Sequence, residues 1–107
     1  NHAAIAIAKG GVEGLVRALA ADFSASGLRV NAIAPGLMHT PATARMLSSE
    51  ASAKAIKAQY PLGRHGEAEA AAALGAFLLS EEAGWVTGQV IALDGGFQAV
   101  RPLVRGA

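Results

Sequence analysis

The sequence has 107 residues, 52% of them hydrophobic and 16% charged, with 9 basic side chains against 8 acidic ones. Globular domains run to ~100–150 residues, so this is one domain or part of one, and neither two independent cores nor intrinsic disorder fits. The even charge, without a Lys/Arg cluster or base-stacking aromatic stripe, argues against nucleic acid or an anionic membrane surface as a partner, and no apolar run approaches the ~20 residues that cross a bilayer.

The chain contains no cysteine. Disulfides, thiolate metal sites and cysteine nucleophiles are thereby removed, and a cytoplasmic location becomes the expectation. The opening at Asn1, directly in alanine-rich helical sequence, suggests a piece of a longer protein.

From Ala3 to about Ser26, apolar residues Val12, Leu15, Val16, Leu19 and Phe23 recur at spacings of three and four, which predicts a long amphipathic helix. Ala6, Gly10 and Gly14 add a stripe of small residues on which a neighbour is expected to pack closely, despite the helix penalty of glycine. Gly27 supplies a stop, and Leu28-Arg29-Val30-Asn31-Ala32-Ile33-Ala34 reads as a strand ending at Pro35-Gly36.

Thr40-Pro41 has the form of an N-cap followed by a first-turn proline, and Ser48-Ser49 can cap a second short helix over residues 51–59. After the break at Tyr60-Pro61-Leu62-Gly63, residues 67–79 read as a helix, with Glu67 and Glu69 near its positive end. Ser80-Glu81-Glu82 predicts a capped single turn, and Gln89-Val90-Ile91-Ala92-Leu93 a second strand stopped by Asp94-Gly95-Gly96. The order helix, strand, small helices, helix, strand predicts an α/β fold with parallel strands joined by crossovers. Such strands need further neighbours, expected from residues outside this stretch or from another chain.

Four strings in this order resemble the short-chain dehydrogenase/reductase family: Lys9-Gly10-Gly11-Val12-Glu13-Gly14-Leu15, Arg29-Val30-Asn31-Ala32-Ile33-Ala34-Pro35-Gly36, Pro61-Leu62-Gly63-Arg64, and Thr87-Gly88-Gln89 leading to Asp94-Gly95-Gly96. The resemblance is to the C-terminal half of that family. It implies that residues 1–107 form the C-terminal portion of a single Rossmann-like, doubly wound parallel sheet, with residues 41–66 as substrate-lid helices. It also implies an NAD(P)-dependent oxidoreductase, using NAD or NADP, that moves hydride between the cofactor and a small-molecule carbonyl or alcohol, and a homo-oligomer, dimer or tetramer. The family's glycine-rich phosphate loop and catalytic serine have no counterpart here, so the stretch alone is expected to be inactive.

By the same resemblance Lys9 is the family lysine that contacts the nicotinamide ribose. Pro35 and Gly36 line the nicotinamide, the Met38 backbone meets its carboxamide, and the Thr40 hydroxyl bonds that amide or a nearby phosphate. Ligands of open α/β sheets bind beyond the carboxyl ends of strands, where this segment lies.

In the family a tyrosine four residues before the lysine is the proton donor, sharing a helix face with the ammonium that lowers its pKa. Here that position is Ile5, which carries no proton to give. His2, seven residues before Lys9 at a spacing that enoyl reductases of the wider family use for their tyrosine, is the candidate substitute, since histidine exchanges protons near neutrality. The alternative is a non-catalytic Rossmann-like protein that binds cofactor or dimerises.

The remaining candidates carry structural expectations. His39 and His65 are read as uncommitted and no metal site is expected. Met46 and Leu47 fall in the lid, Tyr60 packs its base, and Arg64 pairs with a charge or caps carbonyls. Asp94 bonds its own turn, and Trp85 is buried in the core or at an interface.

Overall fold

The computed structural model describes residues 2–103. It is α/β, with helices α1 (His2–Phe23), α2 (Glu50–Gln59) and α3 (Ala68–Leu79) and strands β1 (Ala32–Pro35), β2 (Met38–His39), β3 (Gly66–Glu67) and β4 (Val90–Leu93). β1 pairs with β4, and β2 pairs in parallel with β3, Met38 opposite Gly66 and His39 opposite Glu67. The Ala32 N–H bonds the Gln89 carbonyl and the Gly36 N–H bonds the Leu93 carbonyl, so both segments advance in the same direction, as a crossover connection requires. The chain forms two compact units, one from the residues up to Ile33 with Leu74–Ile91, the other from Ala34–Ala73 with the residues from Ala92 onward.

In the first unit α1 runs as expected, then tightens into a 3-10 turn at Ser24–Ser26. Gly27 ends it in the left-handed conformation (φ 79°), which costs glycine nothing, and its N–H bonds the Ser24 carbonyl while the Leu28 N–H reaches back to Phe23. One face of α1 is buried, at Val16 and Ala20, and a Cβ added to Gly88 would lie 3.5 Å from the Ala20 methyl. Leu78 and Ala83 complete this small core.

The predicted strand over residues 28–34 is shorter than expected, beginning only at Ala32. The reason is that side chains replace its early ladder. The Thr87 hydroxyl accepts the Val30 N–H, while the Asn31 amide donates to the Val86 carbonyl and accepts from the Gln89 N–H. The Arg29 guanidinium binds the carbonyls of Leu78, Ser80 and Val86 at 2.8, 3.1 and 3.0 Å.

Trp85 is 99% exposed, which excludes the core and leaves the interface of the two places expected for it. Within this chain a Cβ at Gly10 or Gly14 would meet nothing within 4 Å, so the glycine stripe is open. One further expectation is corrected in this unit. Ser80 does not cap the turn at Glu81–Ala83, because its hydroxyl donates backward to the Phe77 carbonyl.

In the second unit Ser49 caps α2, accepting the Ser52 N–H, with Glu50 in the first turn and Lys57 in the last, both favourable to the helix dipole. Ile56 is the buried residue of that helix. Thr40 does not cap a helix. Residues 41–45 form turns leading into a 3-10 segment, Met46–Ser48, and the N–H groups of Thr43 and Ala44 go to the Thr40 carbonyl rather than to its hydroxyl. Glu67 lies in β3 rather than opening α3, which starts at Ala68. Asp94 closes its turn as expected, its carboxylate accepting the N–H groups of Gly96 and Gln98. Arg64 caps the His65 carbonyl at 3.2 Å.

Candidate functional site

Pro35, Gly36, Met38 and Thr40 share one short loop from the end of β1 through β2, within the second unit. Gly36 is needed for space: a Cβ there would stand 3.0 Å from the Asp94 Cα and Cβ and from Tyr60 Cε1. Gly36→Ala is therefore expected to destabilise the whole protein by roughly 1–3 kcal/mol through overpacking, checked by urea denaturation.

In a parallel ladder alternate residues of a strand turn their amides toward a given neighbour. Gly66 donates its N–H to the Leu37 carbonyl (2.8 Å), so the N–H and carbonyl of Met38, opposite Gly66, project from the other edge of β2. That carbonyl accepts the Thr43 hydroxyl. The Thr43 oxygen in turn accepts the Thr40 N–H at 2.9 Å and lies 3.2 Å from the Thr40 hydroxyl. With the Thr43 proton committed to Met38, the Thr40 hydroxyl donates to Thr43 and keeps its own lone pairs. The loop thus presents an amide donor at Met38 and a hydroxyl acceptor at Thr40. Thr43 was absent from the sequence reading, although the spacing of three from Thr40 is a turn signal.

Lys9 and His2 lie on α1 in the first unit, both exposed, and Ile5 between them is 57% exposed. Ile5 and Lys9 are four apart on an unbroken helix and therefore neighbours on its surface. Lys9 makes no salt bridge among the described residues.

His39 and His65 stack with ring centroids 5.7 Å apart, and His65 Nδ1 is 3.4 Å from Glu67. Nothing in the sequence brings His39 to His65, because the pairing depends on the β2–β3 register. A cleft of about 110 Å³ is lined by residues that include Leu37, Met38, Tyr60, Leu62 and His65. Ligand pockets run to ~300–1,000 Å³, so this cleft is too small to hold a dinucleotide.

A strand followed at its carboxyl end by such a loop, in parallel α/β architecture, accords with a Rossmann-type fold, the fold of the similar solved structures. The chain belongs to the short-chain dehydrogenase/reductase family, matching over residues 1–98 the family described as enoyl-(acyl carrier protein) reductase. It is 42% identical over 103 residues to 2-(S)-hydroxypropyl-CoM dehydrogenase 3 of Xanthobacter autotrophicus, covering 92% of this chain and 40% of that protein. Among solved structures it resembles 4-hydroxyisoleucine dehydrogenase complexed with NADH (TM-score 0.82, 30% identity, 87% of this chain and 38% of that one). It also resembles an Agrobacterium tumefaciens protein assigned as a 2-deoxy-d-gluconate 3-dehydrogenase, with bound NADP (TM-score 0.80, 42% identity, 87% and 38%). The chain spans about two-fifths of the length of the curated relatives it matches, which does not fit the expectation of a C-terminal half.

Proposed function

We propose that the whole protein is an NAD(P)-dependent oxidoreductase of the short-chain dehydrogenase/reductase type, acting on a small-molecule carbonyl or alcohol in the cytoplasm as a homo-oligomer. The observation that carries this is the complementary pair on the β1–β2 loop. A primary carboxamide offers one acceptor oxygen and one donor NH₂, and the Met38 N–H and the Thr40 hydroxyl supply the opposite partners. The residues present therefore fit a nicotinamide, and they favour Thr40 bonding the amide over a phosphate, which would need a donor. Use of NAD or NADP accords with the NADH and NADP bound in the two similar structures.

Bound there, the cofactor supplies or accepts the hydride. Pro35 and Gly36 would line its nicotinamide face, and by the family resemblance the Lys9 ammonium, which makes no salt bridge among the described residues, would bind the ribose hydroxyls. Residues 41–66 form the lid over the substrate. His2 stands on the same helix as Lys9 and is the candidate to protonate the developing alkoxide in place of the absent phenol. The open stripe at Gly10 and Gly14 supports packing of α1 on a second copy.

One observation favours the second reading, a non-catalytic cofactor-binding or dimerising protein: Ile5 occupies the surface beside Lys9 where the family has its proton donor. Mixing the whole protein with NADH and NADPH separates the two. Fluorescence titration is expected to show saturable binding of at least one, with oxidation in the presence of ketones or enoyl thioesters, and His2→Ala is expected to abolish that oxidation while leaving binding intact. Binding without turnover across those substrates selects the second reading, and absence of binding refutes the first and leaves of the second only dimerisation.

A further inference from the structure

We propose that Tyr60 is a positioning residue that ties the C-terminal end of α2 to the Met38 loop and so sets the affinity of that loop for a nicotinamide dinucleotide. The inference rests on the reading of the loop given above. Tyr60 immediately follows α2, and its N–H closes the helix on the Ile56 carbonyl at 2.9 Å, which anchors its backbone. From that anchor the hydroxyl oxygen accepts the Leu37 N–H at 2.9 Å. The ring edge fills the space that a Cβ at Gly36 would need, and its other contact is a tilted packing on Phe97, with centroids 5.0 Å apart.

Leu37 is consequently held on both of its flanking peptide groups. Tyr60 accepts the N–H of the Gly36–Leu37 peptide, and Gly66 donates to the carbonyl of the Leu37–Met38 peptide. That carbonyl belongs to the same planar peptide as the Met38 N–H, so fixing Leu37 fixes the direction in which the Met38 donor points. A phenol is the side chain suited to this work, since a rigid ring carries the acceptor across to the loop with only two side-chain torsions to order. A phenylalanine would fill the same space and leave the half-buried Leu37 N–H without a partner.

The test is Tyr60→Phe in the whole protein, read in three ways. Hydrogen exchange at the Leu37 amide is expected to accelerate by ~10-fold, because the protecting acceptor is gone. The Kd for NADH or NADPH, by fluorescence titration, is expected to rise ~5- to 10-fold. The urea midpoint should fall modestly, as an unpaired amide requires, while kcat at saturating cofactor should change little; a merely structural defect would lower the midpoint without moving the Kd. Unchanged exchange would show that the bond does not hold the loop, and faster exchange with unchanged Kd would reduce Tyr60 to a packing residue; either overturns the proposal. If the wild-type protein binds neither dinucleotide, the functional reading itself falls and this proposal falls with it, an outcome distinct from wild type and variant binding equally.

Discussion

Replacing Ile5 with tyrosine in the whole protein is expected to raise kcat for ketone reduction by at least ~10²-fold, the lower end of what a positioned general acid contributes. The site can take the change. Ile5 is 57% exposed on α1, so a larger side chain meets no core packing. Lys9 stands one helical turn onward with no carboxylate partner among the described residues, so its ammonium is available to favour the ionised phenol. Dinucleotide affinity, measured by titration, should be unchanged, because the donor acts on the reacting oxygen. A gain of that size would show that His2 is at best a poor substitute for the phenol and that the pocket is otherwise complete. No gain, in a protein that binds cofactor, would mean that the acid comes from elsewhere or that the pocket is not built for turnover.

Arg29→Met is expected to destabilise the whole protein by roughly 2–4 kcal/mol, the largest stability effect anticipated, visible as a lowered urea midpoint. Methionine keeps much of the apolar stem but no donor. The guanidinium bonds three carbonyls, from the end of α3, from the residue after it and from Val86 before β4, and it is partly buried while doing so. Bonds to a charged donor are stronger than neutral ones, and losing the donor takes this partner from the Leu78 and Ser80 carbonyls, while Val86 keeps the Asn31 amide. Arg29→Lys should recover little, because an ammonium is a point donor and cannot spread over three acceptors as the planar fork does. Equal midpoints for wild type and Arg29→Met would refute the structural role.

Much of the architecture was legible from residue order. The helical periodicity of Val12, Leu15, Val16 and Leu19, the Gly27 stop and the Ser49 cap set local energies that the fold keeps, and α1 and α2 follow them closely. The misreadings arise where a distant side chain outbids a local one. Residues 28–31 have strand-like composition, yet Thr87 and Asn31 make the bonds that a longer ladder would have used. Thr40-Pro41 has the chemistry of a cap, but the Thr43 and Ala44 N–H groups go to the Thr40 carbonyl and its hydroxyl lies against Thr43. Trp85 was expected in the core or at an interface, and its exposure excludes the core. The donor at Met38 follows from the β2–β3 register, and the clasp from Tyr60 to Leu37 spans 23 residues, so neither could be read from spacing.

Among the described residues the buried apolar ones are Val16, Ala20, Ile56, Leu78 and Ala83, while Ile7, Leu79 and Trp85 are 76%, 87% and 99% exposed. So sparse an interior bears on how this stretch behaves when expressed by itself. With these side chains bare it is expected to engage chaperones and to be limited by soluble yield before any question of chemistry arises.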